Sequence, residues 1–182
     1  TSAEDMLKIN KRGKIAMPLE DDNGKPIGKL VNVVVAKEGD TVLIATKMGM
    51  AVRVAVSDLR ITKSRNSLGV RGVTLAKGDE VISATLLGES MGTSQERQAY
   101  LSGGTYTQKS PEGEVTKTEL TSEQMEQFKN AEQFFLTVTK NGFGKKVSTH
   151  EVKTTNRGGK GLTIAAISDK TGPLLACFPV GE

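Results

Sequence analysis

A tetrapeptide that returns 93 residues later constrains this chain more than any other feature. Thr46-Lys47-Met48-Gly49 aligns with Thr139-Lys140-Asn141-Gly142, and Asp58 then meets Glu151. After a one-residue slip the offset is 92, so that Arg65 meets Arg157, Gly69 meets Gly161 and Leu75 meets Ile167. The stretch Gly13-Lys14-Ile15-Ala16-Met17-Pro18-Leu19 fits the place of Gly69 to Leu75, like the second half of a preceding unit. A recurrence of this kind implies one supersecondary unit used repeatedly. A single thin sheet cannot bury both its faces, so such units must stack.

Each unit parses as two hairpins. Runs 42–46 and 50–56 are apolar and β-branched, joined by Lys47-Met48-Gly49; runs 70–76 and 80–87 are expected to pair across Lys77-Gly78-Asp79. The second unit repeats this with 135–139, 143–149, 161–167 and 173–180, and its Asn141-Gly142 tip suits a tight turn because both residues tolerate positive φ. The alternations Ala51-Val52-Arg53-Val54 and Val70-Arg71-Gly72-Val73 are expected to turn Arg53 and Arg71 away from their apolar neighbours. Four strands in about 45 residues fit propeller-type blades. The expected fold class is therefore all-β, with antiparallel four-stranded blades. With five Phe, two Tyr and no Trp, Val, Ile, Leu and Ala must fill the core.

The expected organisation is the end of a preceding blade with a connecting strand at 1–41, a complete blade at 42–87, an insertion at 88–133 and a second blade at 134–182. In the insertion, Thr93-Ser94-Gln95-Glu96 and Thr121-Ser122-Glu123-Gln124 are capping boxes, each opening a short helix. Leu120 and Met125 occupy staple positions, and Met125, Phe128 and Ala131 form a narrow apolar stripe expected to pack locally. Gly103-Gly104 would stop the first helix, and Pro111-Glu112-Gly113 is a turn.

Charge is segregated along this order. The net values are 0 for residues 1–41, +4 for 42–87, −4 for 88–133 and +5 for 134–180, within an overall +4. Two basic segments flanking an acidic one suit a polyanion surface, or a solvated surface that happens to be basic. The strongest chemical candidate is the basic, Gly-rich loop of each unit. Lys63 and Arg65 precede Gly69, while Lys153, Arg157 and Lys160 precede Gly161. Lys offers phosphate a mobile point charge and Arg a bidentate fork, and glycine lets backbone come close. No aromatic platform for single strands accompanies them, which favours duplex backbone. An ordinary inter-hairpin loop is the alternative.

Catalytic and metal readings fail on the residues. Asn156-Arg157-Gly158-Gly159-Lys160-Gly161 lacks the hydroxyl that a phosphate-binding loop needs after its lysine. His150 is the sole histidine and has no metal-ligand neighbour at the right spacing; a satisfied or solvent-facing ring is expected. Cys177, the sole cysteine, belongs in the core, so no disulfide framework forms and a reducing cytoplasm is the default expectation. Glu20-Asp21-Asp22-Asn23-Gly24 lacks the alternating ligands of a calcium loop and reads as an acidic hairpin tip. No signal peptide and no apolar run near 18 residues is evident. The chain opens on Thr1-Ser2-Ala3-Glu4-Asp5, and a piece of a larger protein is expected.

Thr-Lys-x-Gly, a basic strand, then Arg65-x-x-x-Gly69-Val70-Arg71-Gly72-Val73-x-Leu75-x-x-Gly78-Asp79 resembles a blade of the C-terminal domain of gyrase A, the DNA-cleaving half of DNA gyrase. Asn141 to Lys146 and Asn156 to Gly161 resemble the next blade, and Gly13 to Met17 the end of the one before. The resemblance implies a β-pinwheel, in which neighbouring blades exchange a strand and a basic rim wraps duplex DNA for negative supercoiling. It implies DNA contacts at Arg53, Lys63, Arg65, Arg71, Lys145, Lys146, Arg157 and Lys160, and the loop reading adds Lys153. It implies, as partners, the remaining gyrase A domains and gyrase B in an A2B2 assembly. ATP and Mg would serve those other parts; no cofactor, catalytic residue or metal is expected in this chain. The family's wrapping motif, Gln-Arg-Arg-Gly-Gly-Lys-Gly, is met only in part by Arg157 to Gly161, and in a later blade. The rival readings are the equivalent C-terminal domain of topoisomerase IV and a propeller-like protein-interaction module, the latter supported by the acidic insertion.

Overall fold

The structure is a computed structural model and describes residues 15–61, 67 and 69–181. Lys63 and Arg65 lie outside the described residues. The chain is mostly β: β1 (Thr41–Thr46), β2 (Met50–Ala55), β3 (Val81–Leu87), α1 (Ser94–Leu101), β4 (Thr105–Lys109), β5 (Val115–Glu119), α2 (Ser122–Asn130), β6 (Phe134–Thr139), β7 (Gly144–Ser148), β8 (Leu162–Thr163) and β9 (Leu174–Val180). Upstream, a Glu20–Pro26 bridge closes the acidic turn.

The internal repeat is written into the pairing register. β1 pairs β2 with Leu43 opposite Arg53, and β6 pairs β7 with Leu136 opposite Lys146. On the other side Leu43 faces Thr85 of β3, and Leu136 faces Phe178 of β9. Even the irregularities correspond, at Ala45/Thr46 and at Val138/Thr139. A 3-10 turn follows each second strand, at Val56–Asp58 and at Thr149–Glu151.

The second hairpin of each unit departs from expectation. β3 pairs with β1 rather than with 70–76, and among the described residues no strand ladder includes 70–76. β9 likewise pairs with β6, and of 161–167 only β8 is a strand. β8 crosses over instead. It joins β2 of the first unit through Met50↔Thr163 and Ala51↔Leu162, giving a sheet in the order β3-β1-β2-β8 beside a sheet β7-β6-β9. Alternation reports that a segment is extended and half-buried; it does not say which strand it joins.

Two glycines make the crossover possible. A side chain at Gly161 would run into the Ala51 carbonyl, and one at Gly49 into that of Ala165. Both have positive φ. The Gly49 carbonyl accepts from the Ile164 amide at 2.9 Å, which fixes the register of the donated segment.

The faces of the two sheets meet in one core. Leu43, Ala45, Ala51 and Leu87 pack with Phe135, Val147, Leu174 and Cys177, sealed by Val152 and Ile164. Ser83 and Thr85 hydroxyls donate to the Cys177 carbonyl and stitch β3 to β9.

Both expected helices of the insertion form, with complete capping boxes at Thr93/Glu96 and Thr121/Gln124. Between them lies a β4–β5 hairpin that the sequence reading reduced to its turn. Ala99, Leu120 and Phe128 form a second small core with Met91, Tyr100, Tyr106 and Met125, so the staple pair and most of the stripe pack locally; Ala131 is exposed. His150 reaches into this cluster from the second sheet. Its ring lies edge-on to Tyr100 and Phe128, and its Nε2 donates to the Phe128 carbonyl at 3.0 Å. Among the described residues no helix is long and apolar enough to cross a membrane.

Candidate nucleic-acid interface

The segment that follows the first basic loop is joined to the second basic loop by backbone hydrogen bonds. Gly158 N–H donates to the Gly72 carbonyl at 2.7 Å, and Thr74 N–H donates to the Gly159 carbonyl at 2.9 Å. The Thr74 hydroxyl adds a bond to the Gly158 carbonyl at 2.7 Å. Arg71 precedes one side of this ladder, and Arg157 and Lys160 flank the other. The backbone segments that carry these three exposed cations therefore lie side by side, although they are far apart in sequence. Thr74 was not singled out in the sequence. The adjacent Gly158-Gly159 pair was the available signal, since two residues without side chains invite another backbone to approach.

Lys153 sits at the foot of the same loop and is exposed. The Thr155 amide donates to the Arg53 carbonyl at 2.8 Å, laying this part of the loop along β2. None of Arg71, Lys153, Arg157 and Lys160 has an ion-pair partner among the described residues, which leaves their charge available to an external anion.

Lys145 and Lys146 are neighbours on β7, so they leave opposite faces of the sheet. Lys145 pairs with Glu151 at 3.5 Å. Lys146 lies 3.9 Å above the Phe134 ring. Both are exposed, but they cannot line one continuous strip together.

The expected outward Arg53 is overturned. It is 2% exposed, because both faces of β2 are covered and the position opposite its apolar neighbours is also interior. Its Nε donates to Thr41 Oγ1, Nη1 to the Thr149 and Val152 carbonyls, and Nη2 to the Gly88 carbonyl. Burial, with a smaller contribution from Arg97, pulls its pKa down to about 10. It stays charged at neutral pH but meets no surface ligand.

The remaining reactive side chains are enclosed. Cys177 is buried, and desolvation pushes its thiol up to about 11. His150 is 4% exposed, and desolvation lowers its pKa. Among the described residues no group of three His, Cys, Asp or Glu is placed to hold a metal.

A family model described as the DNA gyrase C-terminal domain, beta-propeller, matches residues 40–87 and 133–180, more than half of the chain. The chain belongs to this family. Its two matched stretches are the two repeat units, and residues 88–132 fall between them. The chain is 43% identical to the gyrase A protein of Rickettsia bellii over 97% of its own length, an alignment that takes in the insertion as well. It is 33% identical to gyrase A of Granulibacter bethesdensis and 27% identical to that of Staphylococcus epidermidis. These alignments cover 97% and 99% of this chain. The chain spans about a fifth of the Rickettsia and Granulibacter proteins and 15% of the Staphylococcus one. Two solved structures are similar at 16% identity. One, a DNA gyrase A C-terminal domain, has a TM-score of 0.35, with 93% of this chain and 58% of that one covered. The other, a topoisomerase IV C-terminal domain, has a TM-score of 0.33, with 82% and 49% covered.

Proposed function

We propose that this gyrase-family chain holds duplex DNA by its phosphates and contributes a segment of a wrapping surface to gyrase A. The observation that carries the reading is the backbone ladder that brings together the segments bearing Arg71, Arg157 and Lys160, none of which has an ion-pair partner among the described residues. Lys153 adds a cation at the foot of the same loop. Lys145 and Lys146 are secondary contacts in this reading, one on each face of β7. In the assembled enzyme, ATP-dependent strand passage and negative supercoiling fall to the rest of gyrase A and to gyrase B, in the cytoplasm.

Phosphate contact without base readout predicts salt-steep, sequence-independent binding. With three to four contacts, raising salt from about 50 to 200 mM should weaken binding roughly 40- to 150-fold. Fluorescence anisotropy on two unrelated duplexes checks this. Arg71→Glu combined with Arg157→Glu should weaken both duplexes by at least about tenfold, with the circular dichroism spectrum unchanged. Affinity that is flat across salt, or that depends on one sequence, would refute the reading.

A second reading rests on the insertion. It is a compact unit with its own small core and a net charge of −4 over 88–133. If it screens these cations, removing 89–131 should tighten duplex binding, while loss of a co-purifying protein would favour partner docking.

A further inference from the structure

Arg53 is the largest fully buried side chain among the described residues, and no ion pair there includes it. Its guanidinium joins three parts of the molecule. Thr41 Oγ1, at 2.8 Å, belongs to β1; the Gly88 carbonyl, at 2.9 Å, begins the insertion; the Thr149 and Val152 carbonyls, at 2.9 and 3.3 Å, form the turn that follows β7. A buried cation with no counter-charge is an expensive way to fill space. An apolar side chain of similar volume would avoid the desolvation cost.

The repeat supplies an internal comparison. Lys146 stands in β7 where Arg53 stands in β2, and Phe134 stands where Thr41 does. There the cation is exposed and lies over an aromatic ring. The blade architecture by itself does not require a buried guanidinium at this position. The fork stands where the turn after β7 closes over β2, and its planar set of donors fixes direction as well as distance.

We propose that Arg53 is a positioning residue for DNA bending, setting the angle between the two sheets and hence the path between Arg71 on the first unit and Lys145 and Lys153 on the second. The inference rests on the duplex-binding reading. Two variants test it. Arg53→Lys keeps the charge but cannot reach all four acceptors at once. Thr41→Val keeps the shape and removes one acceptor.

Spin labels on Lys77→Cys and Lys140→Cys report the angle without DNA, by pulsed electron resonance. Cys177, being buried, stays unlabelled. Energy transfer across an end-labelled duplex at saturating protein reports the bend. Arg53→Lys should broaden the inter-label distance distribution and reduce the bend, with Kd held within about threefold. Thr41→Val should do the same to a smaller degree, and it decides the matter if Arg53→Lys fails to fold. A merely structural role would lower the melting temperature yet leave distance distribution and bend unchanged well below it, and that result would overturn the proposal. If the parent chain binds no duplex, the DNA reading fails alone, and the distance measurement still decides whether Arg53 holds the sheets.

Discussion

At the scale of single residues, His150 links the insertion to the second sheet. The Phe128 carbonyl can only accept, so Nε2 carries the proton and the neutral ring keeps a lone pair at Nδ1. Desolvation lowers its pKa, aided by Arg53 and Arg97 and opposed by the Phe128 hydrogen bond and by Glu132. The unfolded chain therefore takes up a proton near pH 6.5, whereas the folded chain does so only at lower pH. Between those two values the unfolded state binds more protons, so stability falls as pH falls. The slope is at most about 1.4 kcal/mol per pH unit, and the loss levels off below the folded-state pKa. Urea midpoints at pH 7.5, 6.5 and 5.5 should show this decline, and His150→Gln should flatten it. The sequence left a satisfied and a solvent-facing ring equally open; burial decides for the first, and the aromatic partners could not be foreseen because they come from the insertion. The burial of Arg53 escapes the sequence for a related reason. Period-two alternation distinguishes two faces, but it cannot show that a second sheet and a returning loop cover both of them.

At the scale of elements, the strands that pair within a hairpin could be read locally. β1, β2 and β6 are apolar and largely β-branched, β7 is basic with only Val147 to mark its inner face, and both hairpins turn at a glycine with positive φ. The crossover of β8 could not, because its partner lies beyond an intervening unit. The β4–β5 hairpin leaves little signal in the sequence, since its strands are Thr-rich and mostly exposed, without the apolar face that marks a strand. The crossover yields a paired test. Gly142 and Gly161 have nearly equal φ, +84° and +82°, but only Gly161 has no room for a side chain. Gly142→Ala should cost roughly 1 kcal/mol from backbone strain alone. Gly161→Ala should cost about 2–4 kcal/mol, the excess reporting the collision with Ala51. Thermal melts give the totals. Hydrogen exchange at the Ile164 amide should accelerate only in the Gly161 variant.

At the scale of the molecule, the upstream segment carries a run of exposed apolar side chains. Leu30, Val31, Val33, Val34 and Val35 are all exposed, Val33 at 73% and Val35 at 92%. A side-chain bond from Asn32 to the Ala84 carbonyl ties this run to β3. A β-branched run outside any strand ladder is a template for association. This chain should self-associate with rising concentration, and Val33→Lys with Val35→Lys should weaken that by about tenfold or more in sedimentation velocity. The donated strand β8 has a further consequence, for synthesis. Thr163 pairs with Met50 across 113 positions of sequence, with the whole insertion inside that span. On a ribosome adding about 5–20 residues per second, β2 waits roughly 6 to 20 seconds for its neighbour to emerge. During that interval one edge of the first sheet is open to chaperones and to other nascent chains. The insertion, whose small core is drawn from residues 91–128, can fold in the meantime and stand ready to receive His150 as the second unit arrives.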